Sequence, residues 1–556
     1  MITGAQVLAR MLDLYEVTHI FAVPAVLRRT MAELEFLTDI KRIRPHGEKP
    51  AAYMADGFAR VSGKPGLCMA QVIGAQNLAA GLRDAHLAHS PVIAFTGGRD
   101  PNNKYRKVYQ EVDDLPSFDT VTKFNATVDK VERIPDMVRQ AFRVAVSGSP
   151  GPVHLQFAGN EGQIDLGEAD MDVIVDDLFK AVPPFRPAGD ASAIQAAVRA
   201  LETAERPVIV AGGGVRHSRA GAELVALAEA LAIPVATSLN GKDTIAASHP
   251  MSVGVVGSYS RSSANSVVAS ADLVLFIGTE TGGMTTHFWQ VPEVGRRAMQ
   301  IDIDPEALGR NYPLEVAIQA DARTTLAAMI KLADPSTASR RAGWITDAQA
   351  RVAAWRTEFE PLLTSDQAPI RPERLASELS SLVPDDGVFV VDTGHAGMWM
   401  GGMYDVRAGQ TYIRSAGHLG WAFPASLGAK CAAPDRPVVC FTGDSGFLYH
   451  IGDIETAVRS KINTVTVVNN NSSGNQSKRG FDRAYGGEQT DQAGELWKFT
   501  ELNFAKIAED MGAVGIRVER PGDFGPALER ALEMDRPVII DTVTDIDALA
   551  PLAVTK

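Results

Sequence analysis

The sequence predicts an α/β protein built from three doubly wound parallel-sheet domains. Continuous apolar runs of strand length alternate with helical stretches along the whole chain, the pattern of parallel sheets covered on both faces. Two proline-rich stretches, Pro183-Pro184-Phe185-Arg186-Pro187 and Ala368-Pro369-Ile370-Arg371-Pro372, interrupt that rhythm as linkers do. The 556 residues, 45% of them apolar, are too many for one core. The expected domains are 1–180, 190–335 and 370–556, with 336–366 as a connecting helical segment.

In the first domain, Thr3 and Gln6 have capping-box spacing ahead of a helical face of Val7, Met11 and Leu14. The run Ile20–Val23 reads as a strand stopped by Pro24. Further strands are expected at 67–70, 91–95 and 153–157, with helices over 51–60 and 134–146. In the second domain Val208–Val210 and Leu273–Ile277 read as strands. In the third, Val388–Val391, Val438–Thr442 and Thr464–Val468 do so.

Composition excludes several function classes. Fifty-four basic against 67 acidic residues leave a net charge of −13, and no basic block offers a nucleic-acid surface. No run of 18 apolar residues is long enough to span a membrane. Arg10, Asp13 and Glu16 interrupt any signal-peptide core. Only three cysteines occur (Cys68, Cys431 and Cys440), without metal-type spacing, so a reducing, cytoplasmic setting is expected.

The second domain is ambiguous on its own. Gly212-Gly213-Gly214 follows a strand and precedes a helix, which suits either a nucleotide phosphate or merely a tight turn. Asp302 and Asp304 at a strand end suit either a ribose hydroxyl or a helix cap.

The third domain is more specific. One strand ends in Gly443-Asp444-Ser445-Gly446 and another in Asn469-Asn470-Asn471-Ser472-Ser473-Gly474. A carboxylate, an amide oxygen and a loop carbonyl are hard ligands suited to Mg²⁺ or Ca²⁺, and small residues beside Asp444 let backbone N–H groups approach phosphates. Asn471 lies 27 residues beyond Asp444. With that spacing, the sequence resembles the thiamine-diphosphate enzymes of the acetolactate synthase, benzoylformate decarboxylase and 2-hydroxyacyl-CoA lyase type. The resemblance implies Asp444, Asn471 and the Ser473 carbonyl as Mg²⁺ ligands. Gly443, Ser445 and Gly446 would lie beside the cofactor diphosphate.

The first domain extends the resemblance. The block from Gly47-Glu48 through Ala51-Ala52-Tyr53-Met54-Ala55-Asp56-Gly57-Phe58-Ala59-Arg60 is similar to the family's catalytic-glutamate motif, with Glu48 on the glutamate. A carboxyl donating to the cofactor's pyrimidine is what the chemistry needs there. Alone, Glu48 is equally a solvated carboxylate opening a helix. Gly417-His418-Leu419-Gly420 resembles the block that bends the cofactor. It implies Leu419 as an apolar wedge and the Gly417 carbonyl as an acceptor. Tyr109-Gln110-Glu111-Val112 and Asp392-Thr393-Gly394-His395 match further motifs. They add Gln110 to the catalytic set and Gly394 and His395 to the cofactor contacts. The resemblance runs from about residue 3 to 545 and implies a homodimer at minimum, with a homotetramer expected, because glutamate and metal site come from different chains.

Departures from the family pattern bear on the substrate. Gly47 stands where a histidine is usual, and Val26 stands near a carboxylate-binding serine. His395-Ala396-Gly397 replaces Gln-His-Gln, and Thr279-Glu280-Thr281 replaces an arginine-containing flavin loop. FAD, or an ADP or CoA group, in the second domain is therefore an open expectation. Lys478, Arg479 and Arg483 suit an anionic ligand or a solvated loop face. The expected activity is a thiamine-diphosphate- and Mg²⁺-dependent lyase or decarboxylase with carboligase activity. Its substrate would be a 2-oxo acid, 2-hydroxy ketone or 2-hydroxyacyl thioester. Acetolactate synthase is the alternative, and a non-catalytic protein of the same fold is the reading from another class.

Overall fold

The computed structural model describes residues 1–553. The first part of the chain holds β1 (Ile2–Thr3), β2 (His19–Ala22), β3 (Lys41–Ile43), β4 (Gly66–Ala70), β5 (Val92–Gly97), β6 (Phe124–Val128), β7 (Val153–Phe157) and β8 (Glu168–Ala169). β1 and β8 form a small antiparallel pair, and the other six form a parallel sheet in the order β3-β2-β4-β5-β7-β6. The second part holds β9 (Pro207–Ala211), β10 (Val235–Thr237), β11 (Ser252–Val255), β12 (Leu273–Ile277), β13 (Ala298–Asp302) and β14 (Val316–Gln319), parallel in the order β11-β10-β9-β12-β13-β14. The third holds β15 (Val388–Val391), β16 (Thr411–Arg414), β17 (Val438–Gly443), β18 (Val465–Asn470), β19 (Val514–Val518) and β20 (Val538–Val543), parallel in the order β16-β15-β17-β18-β20-β19. The central strands are buried along nearly their whole length, as their apolar runs require. The doubly wound α/β class is therefore observed three times over. No helix among the described residues is long and apolar enough to cross a membrane.

Local differences from the sequence reading have physical causes. The capping box forms, with Gln6 N–H donating to Thr3 Oγ1 at 3.2 Å, but Leu14 falls past the buried face and is exposed. The helix expected from Ala51 starts at Glu48, because Pro50 sits in the first turn, where its missing N–H is not needed. The segment expected merely to connect contains the 22-residue helix Ala342–Leu363, which ties two domains together. Trp344 is buried against the second sheet and donates to Pro207 O at 2.9 Å, while Trp355 lies in the third domain's core.

One apolar cluster runs from the first domain into the third without a break. The helix Glu48–Ser62 crosses the helix Ala422–Ala432 so closely that a Cβ on Gly57 would collide with Ala425 O, and one on Gly428 with Met54 O. Only glycine permits backbones to touch in this way.

His154 in β7 is fully buried and stacks on Phe118. Asn125 spends its amide N–H groups on Leu115 O and Asp119, so its Oδ1 accepts from His154 Nδ1–H at 2.7 Å, and Nε2 is left to accept from Thr96 Oγ1 at 2.8 Å. The ring is thus held neutral, and burial drives its pKa down to about 3. A depressed folded-state value means that the unfolded chain binds the extra proton first. This contribution is complete above the ordinary histidine value of about 6.5 and is lost as pH falls toward 3, by about 1.4 kcal/mol per pH unit. His154→Gln is expected to lose less stability than the parent between pH 7 and 5. Denaturant midpoints at the two pH values check this, and parallel losses would refute it.

Candidate functional site

The loops leaving β15, β17 and β18 meet at the carboxyl edge of the third sheet, where open α/β sheets bind ligands. Gly443 ends β17 and precedes a short helix beginning at Asp444. The Asp444 side chain is 2% exposed. Its Oδ1 accepts from Ser445 N–H at 2.7 Å, and its Oδ2 from Asn471 N–H at 2.9 Å and Ser473 N–H at 3.2 Å. One carboxylate therefore gathers both motif loops. Burial pushes its pKa up to about 6 against the pull of those donors. Asn471 and Ser473 are buried beside it, joined by Ser473 Oγ donating to Asn471 Oδ1 at 2.9 Å.

The three consecutive asparagines separate by task. Asn470 donates to Leu502 O and to Asp541, bracing the sheet. Asn469, in register with Gly443, leaves its Oδ1 buried without a partner. A Cβ on Gly443 would meet nothing within 4 Å, so the edge stays open there. On the neighbouring strand end, buried Asp392 accepts from Thr393 N–H, Thr442 Oγ1 and Gly420 N–H. A Cβ on Gly446 would crowd Asp392 at 2.9 Å.

Gly394 takes φ +70°, and a Cβ there would lie 2.7 Å from Gln476 Oε1. His395 is buried, which draws its pKa down to about 4. Asn475 donates its amide to Ile546 O and Ala548 O, so Asn475 Oδ1 accepts from His395 Nδ1–H. That bond fixes the tautomer and leaves Nε2 as the basic nitrogen.

The 415–420 loop is held from the first domain. Asp84 is buried and accepts from Ala416, Gly417 and His418 N–H at 2.9, 3.2 and 3.1 Å and from Ser415 Oγ at 2.8 Å. Arg60 bridges Asp84 to Asp56 and lies over the Trp421 ring, whose Nε1 donates to Asp56 at 2.8 Å. Leu419 is only half-buried, at the open end of this loop, which is not where a core leucine would sit. Gly417 is exposed, and a Cβ there would meet nothing within 4 Å.

Glu48 opens its helix half-buried, against Gly74, and accepts from Asn77 Nδ2 at 3.2 Å. Gln110 has φ +60° and accepts from Gln71 Nε2 at 2.8 Å. Neither residue hydrogen-bonds to the Asp444 cluster of the same chain among the described residues. Val26 is buried, with no hydroxyl to offer a carboxylate. In the polar loop, Lys478 pairs with Asp547 at 3.0 Å and Arg479 donates to Ala550 O at 3.1 Å, while Arg483 is exposed.

A second candidate site is a cavity of about 420 Å³ at the carboxyl edge of the second sheet. It opens between β9 and β12, the point where strand order reverses, and Gly213, Gly214, Thr279, Asp302 and Asp304 line it. Burial raises Asp302 to about 6.

Three family models match this chain. Residues 2–117 match "Thiamine pyrophosphate enzyme, N-terminal TPP binding domain", residues 194–329 the central domain of the same enzymes, and residues 392–542 their C-terminal TPP binding domain. A probable acetolactate synthase large subunit of Methanococcus aeolicus is 30% identical over 98% of this chain and 92% of its own. A glyoxylate carboligase of Escherichia coli O157:H7 is 29% identical over 95% and 91%. A sulfoacetaldehyde acetyltransferase of Alcaligenes xylosoxydans xylosoxydans is 31% identical over 88% and 83%.

Proposed function

Because the chain belongs to the thiamine-diphosphate-dependent enzymes, we propose that it acts as a carboligase: it decarboxylates a small 2-oxo acid and joins the retained fragment to a second carbonyl compound. The observation that carries this reading is the capture of both third-domain motif loops by one buried carboxylate, Asp444.

The donor set fits a hard divalent cation bound together with a diphosphate. An anionic oxygen of Asp444, the amide oxygen of Asn471 and the Ser473 carbonyl suit Mg²⁺, and Asn469 Oδ1 lacks a partner nearby. Gly443, Ser445 and Gly446 line the diphosphate side with Gly394 and His395. Ser445 N–H is already engaged by Asp444 and is not a free donor to phosphate. When bound, thiamine diphosphate supplies a nucleophilic carbon and a sink for the electron pair released on decarboxylation. The chain's own groups set the geometry for that chemistry. Leu419 would support the cofactor, with its loop braced by Asp84, and the Gly417 carbonyl would accept a hydrogen bond from it. Glu48 would exchange a proton with the pyrimidine end, and Gln110 would lie on the substrate side. Since Glu48 makes no hydrogen bond to the Asp444 cluster of its own chain among the described residues, we assign the complete site to a dimer, with Glu48 reaching the third domain of a second copy.

The substrate is assigned as small because relatives carry the names acetolactate synthase, glyoxylate carboligase and sulfoacetaldehyde acetyltransferase. Acetolactate synthesis is the second reading, favoured by relatives of that name matching nearly the whole chain. The cavity of the second domain is assigned to a nucleotide, with the Gly212–Gly214 turn at its phosphates and Asp302 at a ribose hydroxyl.

The test is mass spectrometry of molecules released on denaturing the purified protein, followed by turnover with added thiamine diphosphate and Mg²⁺. Pyruvate, glyoxylate, benzoylformate and a 2-hydroxyacyl-CoA are offered. Ligated product from pyruvate or glyoxylate is expected. Turnover of the acyl-CoA alone would overturn the carboligase reading in favour of a lyase.

A further inference from the structure

Arg414 ends β16, at the edge of the third sheet, and is one of the residues that line the second-domain cavity. It is 8% exposed, and its Nε is buried without a hydrogen-bond partner. Among the described residues its guanidinium has no ion pair and donates to no protein acceptor. The carboxylate that acts on it through space is Asp84, and Asp84 is committed to Arg60, Ser415 and three loop N–H groups. Arg60 itself adds a second positive charge close by. A guanidinium stays protonated under all ordinary conditions, and burying it without a counter-charge is strongly unfavourable. Proteins retain such a group where a ligand supplies the missing anion.

Among the described residues, none of the cavity's own acids forms an ion pair with Arg414. Glu280 is drawn to His89 and Arg310, and Asp321 to Arg186 and Ser218. Asp304 accepts from Glu306 N–H, and Asp302 from Asp304 N–H. The loop after β12 reads Thr279-Glu280 and contributes no cation to the cavity.

We infer that Arg414 is the anion-binding residue of this cavity: it reaches in from the third domain to hold the phosphate groups of a nucleoside diphosphate whose hydroxyls lie toward Asp302. The inference rests on the nucleotide reading of the cavity. It also gives that ligand a mechanical consequence. Arg414 leads directly into the loop 415–420 that carries Leu419, so an occupied cavity stiffens the loop proposed to support the thiamine cofactor.

Binding of ADP and of adenosine is measured by calorimetry with saturating thiamine diphosphate and Mg²⁺, for the parent protein, Arg414→Gln and Arg414→Lys. Melting temperatures are recorded without nucleotide. The parent is expected to bind ADP at least tenfold more tightly than adenosine, with the gap closing as salt rises. R414Q is expected to lose that preference while keeping its adenosine affinity, and R414K to keep part of it because the charge remains without the bidentate fork. Without nucleotide, R414Q is expected to melt no lower than the parent, since an uncompensated charge has left the interior. An ADP preference unchanged in R414Q would overturn Arg414's role while leaving the nucleotide reading intact. A parent that binds neither ADP nor adenosine would overturn that reading first. A nucleotide-free R414Q that unfolds, or melts several degrees lower, would show the guanidinium to be structurally paired and end the proposal.

Discussion

Replacing Glu48 with glutamine is expected to cut turnover by about 10²–10⁴-fold, the usual worth of a positioned proton donor or acceptor, while leaving the protein folded and loaded. The side chain sits half-exposed in the first turn of its helix, and its one side-chain hydrogen bond accepts from Asn77 Nδ2. A glutamine oxygen accepts that bond equally well, so the fold loses nothing large. Only the capacity to give and take a proton is removed. Kcat measured at saturating thiamine diphosphate and Mg²⁺ separates this from a binding defect, and a turnover within threefold of the parent would take Glu48 out of the mechanism. The same variant tests the dimer. Co-expressed with an Asp444→Ala chain, a site built between chains regains one intact centre per mixed dimer, because both lesions fall in the other. A site built within one chain regains none.

Much of this arrangement was legible in the sequence, for identifiable reasons. The strands Val153–Phe157, Leu273–Ile277 and Val388–Val391 fall where the apolar runs place them, since a strand buried on both faces has no other way to read. The Gly443–Gly446 and Asn469–Gly474 loops could be paired from the sequence because each closes a strand and their spacing is fixed by one intervening crossover. What escaped is held by long-range polar contacts. Asp84 lies on a helix face that reads as ordinary surface, yet it caps a loop more than 330 residues away. Asp56 and Arg60 stand at i, i+4 spacing, which predicts a surface pair, yet Trp421 from another domain, together with Asp84, packs over them and their side chains are buried. Arg414 carries no local signal at all: one arginine at a strand end is commonplace until the cavity beside it is seen.

Asp444→Ala is expected to lower Mg²⁺-dependent retention of thiamine diphosphate by about 100-fold or more, since a direct charged ligand is worth at least what outer-shell groups contribute. The geometry complicates the reading of that variant. Asp444 also accepts three backbone N–H groups, and alanine leaves all three buried without a partner. Each such orphan costs about 1–3 kcal/mol, so loss of cofactor could follow from local unfolding of the Asn471–Ser473 loop rather than from a missing ligand. Asp444→Asn separates the two causes. Its amide oxygen still accepts from the loop N–H groups, but its other terminus is a donor and the negative charge is gone. Retention after desalting, with and without Mg²⁺, and the melting temperature are read together. If Asp444 is a ligand, the asparagine variant, which leaves at least one loop N–H facing a donor but not all three orphaned, melts above the alanine variant and holds the cofactor no better in Mg²⁺ than in chelator. If it only ties the loops together, the asparagine variant keeps the Mg²⁺ response that alanine loses, and the metal must be sought elsewhere along the carboxyl edge of the third sheet.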